Sequence, residues 1–253
     1  MTRDADWSPA EQPPTLESGA LHVWQIALQQ PASTMERLAD SLDAAERARA
    51  ARFAFVRDRE RFLVAHGALR EIVGRYLACA PSAVAFHHSA QGKPEIVEPG
   101  NPATGALRFS LAHSGEIALI SVTSIGATGV DVEQTRSDVE ALAIAERFFA
   151  TEEQDALRAQ PEDRRAAYFY RLWTCKEAYL KAVGVGLTAP LQEIIVRFGA
   201  PAGVSIALMG ASAASVGRWS LAELAPGAGY AGAVAVDGRI ESVAVWQWES
   251  WQR

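Results

Sequence analysis

Two carboxylates stand on either side of one valine in "GATGVDVEQT", residues 126 to 135: Asp131 and Glu133. The stretch reads as a short apolar strand, and the pleat points residues two apart to one face, where like charges repel. A further acid, Glu177, lies in "WTCKEAYLK". There Trp173, Glu177 and Lys181 are four apart and stack on one helix face, with Lys176 on the neighbouring flank. Together Asp131, Glu133 and Glu177 offer three hard oxygen ligands, the kind of set that holds Mg²⁺ and leaves other positions to water and substrate phosphates. A cation would also remove the repulsion within the strand. Blander alternatives exist at each position. The strand acids can face solvent on an edge or pair with Arg136 or Arg147, and Glu177 with Lys181 can be an i,i+4 surface pair contributing a few tenths of a kcal/mol. D-x-E alone is a weak motif.

Groups able to hold an anion lie mostly upstream. Between residues 36 and 75 nine arginines face seven acids, a local excess of two positive charges in a chain of net charge −6. Most of these arginines suit a solvated helix face, but Arg47, Arg49 and Arg52 cluster. "QGKP" puts Lys93 in a turn with free backbone amides. His113 in "SLAHSGE" follows a strand and precedes Ser114 and Gly115, so a protonatable ring and a hydroxyl stand beside one loop.

These groups need elements to position them. Residues 1–20 are rich in proline and acid without apolar period and read as a loosely tethered, flexible tail. "LHVWQIAL" begins the ordered chain as a mostly apolar strand. From Thr34 to Leu77 apolar residues recur three and four apart, the mark of helices, until Pro81 and "SAQGKPEI" break the pattern. Strands "LRFSL" and "IALISVTS" follow. The second half repeats the order: the Asp131 strand, the helix "VEALAIAERFFA", a capping box at "TEEQ", and a long helix from Glu162 to Val183 with Pro161 at its first turn and Gly184 closing it. Five strand-like segments end the chain. The organisation expected is α+β: two similar subdomains, 21–125 and 126–253, in tandem after the tail, with the site in the cleft between them.

Composition narrows the function further. The chain has 253 residues, 49% of them hydrophobic and 21% charged, enough for a buried core. Its net negative charge argues against a nucleic-acid binder. Cys79 and Cys175 lie far apart in no CxxC spacing, which suits a reducing compartment. With no run of 18 apolar residues and no secretory signal in "MTRDADWSPAEQPPTLESG", a cytoplasmic protein that neither crosses nor binds a membrane is expected.

"GVDVEQ", then "AERFFATEE", then "FYRLWTCKEAYLKAVGVGL" resembles the 4′-phosphopantetheinyl transferases of the surfactin-synthetase-activating type. "GKP" at 92–94, "SLAHSG" at 110–115 and "RARAARF" followed by "DRERFL" agree as well, so the resemblance covers about residues 21–198. It implies the family's fold of two tandem α+β subdomains with the active site at their interface, in a monomer. The implied activity transfers the phosphopantetheine arm of coenzyme A to a serine of an apo acyl or peptidyl carrier protein, releasing 3′,5′-adenosine bisphosphate. Asp131, Glu133 and Glu177 would hold Mg²⁺, with Mn²⁺ as the alternative. Lys181 would contact the phosphates and assist the leaving group, and Glu177 would be the base. Lys93 and His113 fall on coenzyme-A-binding positions. Arg49 and Arg61 fall near the 3′-phosphate, with Arg47 as a further candidate, and Gln134 to Phe149 would face the carrier. The chain departs from the family pattern at Ser110 and Ala112, where an asparagine and a serine are usual, and at Glu46, which occupies a basic position. Rival readings are a Mg²⁺-dependent phosphohydrolase acting on a nucleotide and a catalytically silent carrier-binding module.

Overall fold

A computed structural model describes residues 7–10, 15–97, 107–185, 190–199, 203–208 and 218–250. The chain begins with a short strand, β1 (Ser8–Pro9), then β2 (Ala20–Ala27), the helices α1 (Ala32–Ser41), α2 (Ala44–Ala50) and α3 (Val56–Tyr76), a hairpin of β3 (Phe86–His88) and β4 (Pro94–Ile96), and a second hairpin of β5 (Arg108–Ser114) and β6 (Ile117–Thr123). The second half runs β7 (Thr128–Gln134), α4 (Ala141–Phe148), α5 (Thr151–Arg158), α6 (Glu162–Val183), β8 (Ile194–Gly199), β9 (Gly203–Leu208), β10 (Trp219–Leu224) and β11 (Tyr230–Asp237), and ends in β12 (Ser242–Gln247).

The two halves share one topology. In the first, β2 pairs with β6 and β6 with β5, all antiparallel; in the second, β7 pairs with β11 and β11 with β10, again antiparallel. Among the described residues each half also carries three α-helices and a separate two-stranded ribbon, β3–β4 or β8–β9. This is the tandem α+β arrangement expected from the order of elements.

Alternation explains the layering. On β2, Trp24 and Ile26 pack with Val64, Ala65, Ala68 and Ile72 of α3, while Leu21 and Val23 point the other way. There they meet Leu119 of β6 and, from the second half, Val130, Val132, Val234 and Val236. The outer face of the second sheet is covered by α6, whose Leu172, Cys175, Ala178 and Ala182 pack with Ala231, Ala233 and Ala235 of β11. The order is therefore helix, sheet, sheet, helix, with the two halves joined by a core of small branched residues.

Two features at the ends differ from the expectation. β12 does not stay with the second half: it lies parallel between β1 and β2 in the first sheet. Its Val243 and Val245 join the core between the halves, burial they gain only by crossing over. Within the segment expected to be a loose tail, Ser8–Pro9 pairs with β12 and Trp7 Nε1 donates to the Ala225 carbonyl (2.6 Å). No helix among the described residues is long and apolar enough to cross a membrane.

Candidate active site

The site forms where β7 lies against α6 and alongside β5. Gly129, Asp131 and Glu133 share one face of β7, and Ala235, Ala233 and Ala231 stand opposite them on β11. A Cβ at Gly129 would overlap the Ala178 carbonyl oxygen and the Ala182 amide nitrogen, so only glycine lets the helix backbone come this close. The approach brings Glu177 and Lys181 to the strand carboxylates. Gly184, at φ 82°, then ends α6 in the left-handed conformation.

Asp131 is 3% exposed, and its Oδ1 accepts from Lys181 Nζ at 2.6 Å. Its Oδ2 is buried with no partner. Burial pushes this carboxyl up to about 7; Lys181 opposes the rise, and Glu133 and Glu177 add to it. Glu177 is likewise raised by burial, with Lys181 opposing and Glu133 reinforcing, and its Oε1 is buried and unpartnered. Glu133 Oε2 accepts from Ser114 Oγ at 2.8 Å. These contacts decide among the blander alternatives. Arg136 pairs with Asp138 (2.8 Å), Arg147 lies over the Phe148 ring, and Lys181 bonds Asp131 rather than its helix neighbour Glu177. The strand's two acids are tolerated because one meets an ammonium and the other a hydroxyl. Among the described residues no three His, Cys, Asp or Glu side chains stand together as a ready-made metal cage. Two unpartnered buried carboxylate oxygens and three hard donors nevertheless fit a divalent cation.

Serines of β5 stitch this strand to the first half. Ser110 Oγ accepts from the Val130 amide (3.2 Å), and Ser114 Oγ accepts from the Gln134 amide (3.1 Å). Ala112, on the same face, is buried in the core between the halves. The departure at 110 thus supplies a bond between halves, and the one at 112 packs apolar surface.

His113 points the opposite way and is exposed. Loss of hydration among the surrounding protein lowers its pKa, and the positive charges of His66, Lys181, Arg61 and Arg49 lower it further, so four basic groups act on this ring. Arg61 pairs with Glu116 and Asp58, and its Nε is buried without a partner. Arg49 lies over the Phe62 ring, 5.3 Å from its centre. Two predicted residues are placed differently. Arg47 donates to the Leu42 carbonyl just ahead of its own helix. Lys93 spends its ammonium on two backbone carbonyls, Thr128 (2.8 Å) and Ala182 (3.1 Å), which ties β7 to the end of α6. Burial lowers its pKa to about 8, Arg108 adding to the drop and Glu95 opposing it. Lys93 lines a cleft of about 390 Å³ with Phe109, Gly126, Ala127 and Gly184. A roomier hollow of about 780 Å³, lined by Arg37, Glu71 and Cys79, contains none of the predicted residues.

Sequence reasoning missed His66, whose Nδ1 meets Glu46 Oε1 at 3.1 Å and whose ring stacks on Phe62. The signal available was the spacing of Phe62, His66 and Arg70, four apart on one helix face. It also missed that Lys176 is fully buried against Glu153 (2.7 Å) and is structural.

A strand bearing paired carboxylates, a helix bearing a carboxylate and a lysine, and a ring of basic side chains beside them define an enzyme acting on a phosphate-bearing substrate. The family model "4'-phosphopantetheinyl transferase superfamily" matches residues 127–235, and "4'-phosphopantetheinyl transferase, N-terminal" matches 28–124. Over 235 residues the chain is 39% identical to 4'-phosphopantetheinyl transferase HetI of Nostoc sp. strain PCC 7120, covering 92% of this chain and 94% of HetI. It is 30% identical to 4'-phosphopantetheinyl transferase Sfp of Bacillus subtilis strain 168 over 190 residues, 74% of this chain and 81% of Sfp. The chain belongs to the 4′-phosphopantetheinyl transferase superfamily.

Proposed function

We propose that this transferase moves the 4′-phosphopantetheine arm of coenzyme A to a serine of an apo acyl or peptidyl carrier protein. What carries the reading is the pairing of a buried Asp131, bonded to Lys181 on one oxygen and free on the other, with the unpartnered Glu177 oxygen beside it. Asp131, Glu133 and Glu177 would hold Mg²⁺, or Mn²⁺ in its place. When bound, the cation supplies positive charge to a pyrophosphate that would otherwise repel the incoming hydroxyl.

The chain's own residues supply the rest. Arg49, Arg61 and His113 bind phosphate oxygens, and Lys181 neutralises charge that grows on the leaving group. The serine Oγ bonds to the phosphorus bearing pantetheine as the P–O bond to 3′,5′-adenosine bisphosphate breaks. Glu177 takes the hydroxyl proton, and burial raises its pKa above the ordinary carboxylate value, which makes it a stronger base. Lys93 acts by fixing β7 to α6. The partly buried apolar side chains of α4, Leu142, Ile144 and Phe148, are the proposed carrier-facing surface. The enzyme works as a cytoplasmic monomer, its units being 21–125 and 126–253 with β12 exchanged into the first.

The test is to incubate the protein with coenzyme A, Mg²⁺ and an apo carrier and weigh the carrier. A phosphopantetheine adduct with equimolar 3′,5′-adenosine bisphosphate is expected. An unmodified mass across several carriers rejects the reading, and phosphate release without a carrier would instead indicate a hydrolase.

A further inference from the structure

Glu46 occupies a position where the sequence pattern calls for a base, and its surroundings explain why an acid is suitable. Its Oε2 accepts from the Asp43 amide (3.1 Å), which completes a capping box at the start of α2, and from Arg70 Nε (2.7 Å). Its Oε1 meets His66 Nδ1 (3.1 Å). Arg70 is itself 1% exposed and bonded to Asp43 (2.7 Å) and the Val84 carbonyl (2.7 Å), so Glu46 is anchored in a network rather than left to solvent. Burial alone would raise the Glu46 pKa, but His66, the Asp43 amide and Arg70 hold it below the usual carboxylate range.

An anchored carboxylate on one ring nitrogen fixes the other. With Nδ1 on Glu46, the proton of neutral His66 is set by that bond, and a protonated ring carries a donor at both nitrogens. The ring plane is fixed as well: it stacks on Phe62 with centroids 4.0 Å apart, and the Arg49 guanidinium also lies over that phenyl ring. His66 is only partly buried, and its Nε2 makes no hydrogen bond among the described residues. Its charge acts on His113 together with those of Arg49, Arg61 and Lys181.

We infer that His66, oriented by Glu46, is an additional phosphate-binding residue of the coenzyme A site: as the imidazolium it keeps Nδ1–H on Glu46 and donates from Nε2 to a phosphate oxygen beside Arg49 and Arg61. Glu46 is then a positioning residue that replaces a direct cation with an oriented imidazole on the neighbouring helix. The inference rests on the coenzyme A reading proposed above.

Titration calorimetry of the full chain with coenzyme A separates the two. If the wild-type protein neither binds coenzyme A nor modifies a carrier, the underlying reading fails. If it does both, His66→Ala should weaken coenzyme A binding by about tenfold, the scale of one charge-assisted hydrogen bond. His66→Phe, which keeps a ring stacked on Phe62 and removes the donor, should lose as much. Both variants binding within about twofold of wild type would overturn the inference. Glu46→Gln should weaken binding in the wild-type background and add nothing when His66 is already alanine; an equal further loss there would deny Glu46 its positioning role. With 3′-dephospho-coenzyme A, a His66→Ala loss that disappears assigns the contact to the 3′-phosphate, and one that persists assigns it to the pyrophosphate.

Discussion

Asp131 is held in a state that costs stability. Its folded pKa of about 7 lies above that of an unfolded aspartate, so the folded chain binds the proton more tightly than the unfolded one. The corresponding stability is fully present below the ordinary carboxylate range and is lost as pH rises through about 7. In a chelator, the wild-type melting temperature should therefore fall between about pH 5 and about pH 8 relative to Asp131→Asn; parallel curves would contradict the assignment. Lys181 favours the charged forms of both Asp131 and Glu177. Lys181→Met should slow carrier modification by about a hundredfold or more at saturating coenzyme A, measured as kcat, whereas an unchanged kcat would make Lys181 a structural partner only. The acids and Lys181 were readable from sequence because a two-residue strand spacing and a four-residue helix spacing each force a shared face. The pairing of His66 with Glu46 was not, because it depends on how α2 folds back on α3.

At the level of elements, the site depends on a close contact between a strand and a helix. Gly129 permits it, and the alanines of β11 extend the same shallow surface under α6. Gly129→Ala should push β7 off the helix, lowering stability by about 1–3 kcal/mol in denaturant unfolding and separating Asp131 from Lys181. Wild-type stability and activity in that variant would disprove the close packing. The other side of α6 is fastened by Lys176, which reaches Glu153 and the Leu191 and Ile194 carbonyls in a fully buried setting. Lys176→Met strands the Glu153 carboxylate and should cost about 3–5 kcal/mol. The long helix, its Pro161 entry and its Gly184 exit followed directly from the sequence pattern. The capping box expected at 151–154 does not form: the N-cap is Ala150, which has no side-chain acceptor, so only the return bond is made, Glu153 accepting from the Ala150 amide (2.9 Å), and Glu153 also takes the Val196 amide (2.8 Å). No local pattern encodes that second bond, made 43 residues away.

For the molecule as a whole, duplication creates the cleft and the crossing of β12 locks it. The tandem halves were legible because each repeats strand, helices and strands. The destination of β12 was not, because its apolar alternation fits either sheet and only the core between the halves selects one. Residues 21–125 expressed alone lack β12 and leave the β2 edge unpaired, so they should not unfold cooperatively, and adding 126–253 should restore a cooperative transition; a stable first half alone would contradict this dependence. In the proposed reaction, carboxylates at the junction of the halves carry out phosphopantetheine transfer. Its most direct test is the intact mass of an apo carrier after incubation with coenzyme A, Mg²⁺ and either the wild-type enzyme or Asp131→Ala with a verified fold. Complete conversion to the phosphopantetheinylated mass is expected with the wild type and none with the variant; a carrier fully modified by Asp131→Ala would rule out a role for these carboxylates in the transfer.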